Sequence, residues 1–457
     1  MPLLTASSQA GTAQVTAGTS SPVTSAHAAQ AAATSVPYTT KAVLIGAQDL
    51  IGALYQPVAP NPNESTALFL THEYSNFIGS IPCVQLAQRG FTVLCVKSQY
   101  DDQAHAIWDQ LAMDVSASVS YLRGLPSVRK VVLVGYSGGG AIMSYYQNVA
   151  EHGLAACQAA ARLDPCGSEL AGMPPADGVV ILDGVPGIAF DRLIDLDGSI
   201  VNENNLNLRN EALDMYNPAN GYSPSGSSDY SQAFINRYTK AQGRREATIV
   251  AEAEHLRKQV ASGTAQFSDD APLVVGRDVA EISEADLGVL YHTQGKYPVI
   301  SPAHPDGGSP QVVDSIRPIS ASKSADVSWA SGAGDYTASS YLATAAIKAP
   351  NLHISADSIT GVDWASTNTA TPDNVRGITT PLLIMGMTAS QDLDPVQQEL
   401  YYENATGTTD KTLVYVDGAT HGLTPCTNCK DAASSYGDTV SEIFNYMASW
   451  LGQRFAA

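Results

Sequence analysis

Positive charge is what this chain has least of. Its 457 residues carry 24 Lys and Arg against 44 Asp and Glu, a formal net charge of −20. A phosphate-binding surface takes its affinity from clustered Lys and Arg that displace counterions, so the composition argues against nucleic acid and anionic membranes as partners. The densest basic stretch, Lys240 to Arg245, reads as the solvated face of a helix. Long apolar runs are also missing. No segment approaches the roughly 18 apolar residues that a membrane helix needs, which predicts a soluble protein without a transmembrane segment. A secretory leader is not legible either: no basic region precedes Pro2, Leu3 and Leu4, and no apolar stretch follows them. Met1 is compatible with a start placed after a removed leader. What the chain does have is 44% hydrophobic residues, enough to bury a large core.

Cysteines are few: Cys83, Cys95, Cys157, Cys166, Cys426 and Cys429. Cys83 and Cys95 fall inside apolar runs and read as buried small hydrophobes. The other four form two close pairs. Cys426-x-x-Cys429 has the spacing of a disulfide, of half a zinc site or of a redox pair. A redox motif opens a helix near the start of a compact unit, whereas this one lies near the C-terminus. Disulfides at 157–166 and 426–429 are therefore expected, ahead of free thiols or zinc, which places the chain in an oxidising compartment, secreted or periplasmic.

The organisation changes three times along the chain. Residues 1–38 are rich in Ala, Ser and Thr, and 1–36 contain no charged side chain. Such a segment buries too little apolar surface to offset its ordering entropy and is expected to be disordered or loosely ordered. Over 39–185, apolar strands alternate with amphipathic helices: strands at 41–46, 51–55, 65–71, 91–96, 128–134 and 177–182, and helices at 81–89, 105–123 and 138–152. Strands that are apolar throughout, separated by helices, indicate a mostly parallel sheet with helices on both faces. Residues 186–378 break that rhythm. They are rich in Asn, Ser, Gly, Asp and Pro, and one clear helical pattern, 231–260, is interrupted by Gly243. From 379 to 457 the alternation returns, with strands at 381–385 and 412–416 and helices at 396–403 and 440–455. The simplest arrangement is one α/β domain split by a large insertion.

Gly135-Tyr136-Ser137-Gly138-Gly139 carries the chemistry. A buried strand, Val131 to Val134, runs into it and a helix starting near Ala141 leaves it. A serine on so tight a strand-to-helix turn needs very small residues two positions to either side. A serine hydroxyl is a weak nucleophile unless a base takes its proton and a third group orients that base. His421 is the candidate base, because it follows the last strand and precedes the final helix. The orienting carboxylate is sought in the loop after strand 381–385, where Asp392 is preferred over Asp394. Asp394 directly precedes Pro395 at a helix start and suits a cap. Asp183, at the end of strand 177–182, is the third candidate. The oxyanion of an acyl-transfer intermediate needs preorganised N–H donors, expected from Gly138 and from Glu73 or Tyr74 in the loop after strand 65–71.

These features resemble the α/β-hydrolase superfamily in its serine esterase and lipase-like branch. The resemblance covers about residues 41–187 and 379–457, with the chain order Ser…Asp…His. It implies an α/β-hydrolase fold with a large cap insertion, and hydrolysis of a carboxylic ester through an acyl-enzyme, with neither metal nor organic cofactor. Amidase, lactonase or acyl-transfer activity uses the same triad, and a non-catalytic binding protein is a further alternative. The implied substrate is a small-molecule or lipid-like ester. In this family the loop after the third strand commonly begins His-Gly, whereas here it is His72-Glu73. A cap is implied at 186–378, and Tyr136, Phe77 and Tyr238 are the expected substrate-binding residues, Tyr238 as one of the aromatics between Tyr216 and Tyr238.

Overall fold

Strands β1 (Tyr38–Ile45) and β2 (Leu50–Pro57) form an antiparallel hairpin in which Ile45 pairs with Leu50. In this computed structural model the described residues are 35–47, 49–276, 279–319, 333–429 and 431–455. Most of the segment 1–38 lies outside them. After the hairpin come β3 (Thr66–Leu70), α1 (Ile81–Ala87), β4 (Thr92–Val96), α2 (Trp108–Arg123), β5 (Lys130–Ser137), α3 (Gly139–His152) and β6 (Gly178–Gly184). The next stretch holds α4 (Ile188–Asp195), α5 (Gln232–Ser262), β7 (Pro272–Gly276), α6 (Ile282–Ala285), β8 (Val299–Ile300), β9 (Ala333–Thr337), α7 (Ala338–Ser340), β10 (His353–Ile354), β11 (Ile359–Thr360) and α8 (Thr371–Asn374). The chain closes with β12 (Leu382–Met387), α9 (Pro395–Asn404), β13 (Lys411–Val416) and α10 (Thr439–Phe455).

Nine strands form one sheet in the order β1-β2-β4-β3-β5-β6-β12-β13-β8. β2 runs antiparallel to β1 and β4, and every pairing from β4 onward is parallel. Alternate residues of a strand face opposite sides, and here both sides are covered. Val131 and Leu133 of β5 join the core beneath α2 and α3, with Leu111, Val115 and Tyr145. Val132 and Val134 join the opposite core, with Leu86 of α1 and Phe444 and Met447 of α10. The uninterrupted apolar runs in the sequence are the result. β3 is flanked by β4 on one side and by β5 on the other, so the connections reverse direction between β3 and β5. A crevice at such a switch point, beyond the carboxyl ends of the strands, is where ligands bind in open α/β sheets. With its leading antiparallel hairpin and this strand order, the sheet has the α/β-hydrolase architecture.

Three expectations need correction. Helix α5 runs unbroken for 31 residues through Gly243. A Cβ at 243 would stand 2.2 Å from the Ala349 carbonyl oxygen, so glycine admits a close backbone approach and tertiary packing outweighs a propensity cost of about 1 kcal/mol. Arg245 is not on a solvated face: it is buried and ion-pairs with Glu203 at 2.8 Å. Cys83 and Cys95 are not merely buried but disulfide-bonded, joining α1 to β4, alongside Cys157–Cys166 and Cys426–Cys429. Between β7 and β9 the chain also adds an edge strand to the sheet, β8 pairing with β13 through Tyr415↔Val299 and Val416↔Ile300.

Candidate active site

The site is built on the carboxyl ends of β5 and β6. Ser137 ends β5 with φ of +57°, the left-handed region that a non-glycine residue adopts only when its surroundings enforce it. The reversal into α3 is so tight that a Cβ on Gly135 would lie 2.5 Å from the Gly139 carbonyl oxygen. Between β5 and β6 the register slips: Tyr136 pairs with Leu182, but Ser137 pairs with Gly184. Asp183 is the extra residue of this bulge. It too has positive φ, +42°, and its side chain is 1% exposed. Bulges re-aim side chains in this way beside functional sites.

His421 arrives on a tight turn after β13, where Thr420 N donates to Thr424 O at 3.0 Å and Ala419 bridges Pro425. Its Nε2 lies 3.0 Å from Ser137 Oγ and its Nδ1 lies 2.8 Å from Asp183 Oδ2. The Tyr136 ring stacks on the imidazole with centroids 5.2 Å apart, and the Tyr136 hydroxyl donates to the His421 carbonyl. Asp183 is itself held: Ser390 Oγ donates to Oδ2 at 2.8 Å, and Met387 N donates to Oδ1 at 3.3 Å. Ser390 in turn accepts from Leu393 N at 3.2 Å. Burial lowers the His421 pKa, but the hydrogen bond and charge of Asp183, with the charge of Asp392, outweigh it, and the net shift is upward from 6.5.

Asp392, the carboxylate preferred from sequence, is not on Nδ1. Its Oδ2 stands 3.6 Å from Nε2, and its side chain is 58% exposed. Asp394 is the N-cap of α9, its backbone N–H donating to Gln397 Oε1 at 3.0 Å, and it ion-pairs with the buried guanidinium of Arg317. Burial pushes the Asp394 carboxyl up to about 6 against the lowering effect of Arg317. The loop expected to supply the acid thus supplies a hydrogen-bond donor, Ser390, to an acid on the neighbouring strand. Sequence pattern ranks Asp183 third because nothing in it signals a bulge. An Asp-Gly step closing the strand next to the serine strand was the one available cue.

On the other side of Ser137, Gly138, the N-cap of α3, stands against the loop His72 to Asn76. Glu73 is buried, and its carboxylate occupies the space where a Gly138 Cβ would stand, 1.8 Å from Oε2. Gln103 Nε2 donates to Glu73 Oε1 at 3.1 Å, and His72 Nδ1 lies 2.9 Å from Oε2. Tyr74 is exposed and meets His72 edge-on at 4.9 Å. Phe77 is buried, stacked on His72 and tilted against Tyr136, so it backs the site from within the core. Tyr238 does not reach the site. It is fully buried in the core of the inserted segment, stacked on Phe234, with its hydroxyl donating to Met215 Sδ at 3.3 Å. Tyr222, Tyr230 and Phe234 are buried in that core as well; the aromatic cluster holds the insertion together. Among the described residues no group of three or more His, Cys, Asp or Glu is arranged to hold a metal ion, and no helix is long and apolar enough to cross a membrane.

No protein-family model matches the chain, and no curated protein sequence matches it. Its fold is similar to solved structures at low sequence identity. The DcsB structure in complex with its substrate analogue is 11% identical, with 92% of this chain and 100% of that one covered and a TM-score of 0.42. Est1E from Butyrivibrio proteoclasticus is 10% identical, with 93% and 100% covered and a TM-score of 0.39. The Pyrococcus furiosus esterase Pf2001 is 9% identical, with 92% and 93% covered and a TM-score of 0.36.

Proposed function

We propose that the protein is a serine hydrolase that cleaves carboxylic esters through an acyl-enzyme, with Ser137 as nucleophile, His421 as general base and acid, and Asp183 as the residue that orients the imidazole. The observation that carries this reading is the continuous chain from Ser137 Oγ through His421 Nε2 and Nδ1 to Asp183 Oδ2, with steps of 3.0 and 2.8 Å. In the first half-reaction Nε2 takes the hydroxyl proton as Oγ attacks the carbonyl carbon. Asp183 accepts from Nδ1–H, fixing the tautomer that leaves Nε2 free to act as base and stabilising the imidazolium. The backbone N–H of Gly138, with that of Glu73 or Tyr74, would receive the developing oxyanion. His421 then delivers the proton to the leaving alcohol, and water attacks the acyl-Ser137 by the same steps in reverse.

Residues 186–378 belong to this proposal as a cap. What supports it is that α4 leaves the sheet directly after β6, within a few residues of Asp183, and that β12 brings the chain back beside β6. The test is labelling with a fluorophosphonate probe and turnover of p-nitrophenyl esters from acetate to palmitate. Labelling of the wild type and none of Ser137→Ala supports the reading. An unlabelled wild type that hydrolyses no ester defeats it.

A further inference from the structure

Once Asp183 holds Nδ1, Asp392 is a carboxylate at the reacting centre with no part in the triad. Its Oδ2 is 3.6 Å from His421 Nε2, the nitrogen that faces Ser137 Oγ at 3.0 Å. In the hydrolase reading Nε2–H gives its proton to the leaving oxygen, so that oxygen sits about 3 Å from Nε2. A group two carbons further out on the leaving alcohol is within reach of the Asp392 carboxylate, which is 58% exposed and open to it.

A second carboxylate lies on the other side of Ser137. Glu73 sits against Gly138. Arg192, the nearby cation, is tied to Asp195 at 2.5 Å. Tyr74 adds an exposed aromatic ring, a surface on which a cation is stabilised. An anionic leaving group would be repelled by the Asp392 carboxylate, whereas a cationic one would be attracted by it and by the −20 charge of the chain.

We infer that the site takes esters whose alcohol portion carries an ammonium group, and that Asp392 is the residue that recognises it. This inference rests on the serine-hydrolase reading and adds the substrate class. Three acetate esters separate the possibilities: that of choline, that of 3,3-dimethylbutanol as its uncharged counterpart, and that of 3-hydroxypropanesulfonate as an anionic probe. A carboxylate about 5 Å from an ammonium in a half-exposed site gives a preference of about fivefold to tenfold in kcat/KM for the cationic over the uncharged ester. The anionic ester should be the poorest, and the preference should shrink as salt rises from about 10 mM to about 500 mM. Asp392→Asn should lower the cationic-to-uncharged ratio about fivefold, while Glu252→Gln, the same charge change on the exposed side of α5, should leave the ratio alone. Equal kcat/KM for the cationic and uncharged esters, with both depending on Ser137, overturns the inference and leaves the hydrolase reading standing. A ratio that Asp392→Asn does not move also overturns it. Absence of all ester turnover, with no labelling of Ser137, removes both.

Discussion

Asp183 and His421 are 238 positions apart in sequence, yet Asp183 Oδ2 lies 2.8 Å from His421 Nδ1. The contact is made by a one-residue bulge in β6 that turns the carboxylate toward the end of β13. Asp183→Asn should therefore lower kcat by about 10⁴-fold, because an amide at that position favours the wrong imidazole tautomer. Asp392→Asn should cost less than about tenfold on an uncharged ester. Steady-state kinetics of the two variants checks this, and the reverse order would return Asp392 to the role expected from sequence.

The pH dependence follows from the direction of the His421 shift. The base must be neutral to accept the Ser137 proton, so the acidic limb of kcat/KM should fall above 6.5, where the imidazole sits when unperturbed. Asp183 faces Nδ1, and Asp392 and Ser137 face Nε2. Removing the charge of Asp392 takes away one of the influences that raise the pKa, so Asp392→Asn should move the acidic limb to lower pH. A limb that stays in place or moves up would contradict this assignment.

In the proposed triad Ser390 positions Asp183. It is fully buried, donates to Asp183 Oδ2 at 2.8 Å and accepts from Leu393 N at 3.2 Å. Ser390→Ala leaves a buried carboxylate lone pair without its donor, a loss of about 1.5–3 kcal/mol for a hydrogen bond to a charged group. The expected result is a fall in kcat of about tenfold or more with KM little changed, together with a displaced acidic limb, and Ser390→Thr should recover part of both. A purely structural role would lower the melting temperature without moving the pH profile.

Gly138→Ala should be far more damaging than an ordinary glycine-to-alanine change in a first helical turn. The added methyl would fall on the Glu73 carboxylate, so that side chain must swing off its contacts with Gln103 and His72, disturbing the segment expected to supply an oxyanion donor. A loss of ester hydrolysis of 10²-fold or more is expected, the size associated with removing one oxyanion donor. Glu73→Ala in the same chain should restore part of it by vacating the space.

The disulfides predict a redox effect on the His421 turn. Cys426–Cys429 lies just beyond that turn, Cys426 N donates to Gly418 O at 2.8 Å, and the pair packs against Ala389 and Tyr436. Under denaturing conditions no cysteine should be alkylated until a reductant is added. Reduction should lower the melting temperature, since a native disulfide typically contributes about 2–4 kcal/mol and a short loop such as 426–429 contributes less. Replacing Cys426 and Cys429 together by Ser should lower activity more than stability, because the loosened segment adjoins the turn that carries His421, the proposed base.

The sequence alone determined the elements that depend on local pattern. Apolar strands alternating with amphipathic helices gave the parallel sheet, since residues buried on both faces leave no polar alternation. The elbow was legible because so tight a turn excludes side chains at Gly135 and Gly139, and His421 because it stands between the last strand and the last helix. Tertiary structure decided what local pattern does not encode. Asp183 faces His421 because one residue slips between β5 and β6, and a bulge leaves no mark on hydropathy. Ser390 matters because β12 lies next to β6, a pairing made across the whole insertion. Gly243 stays helical because the backbone at Ala349 presses against it, and Tyr238 is packing because the insertion closes a core of its own around α5. In each case the deciding contact is made by packing that local pattern does not encode, and only the folded structure brings its partners together.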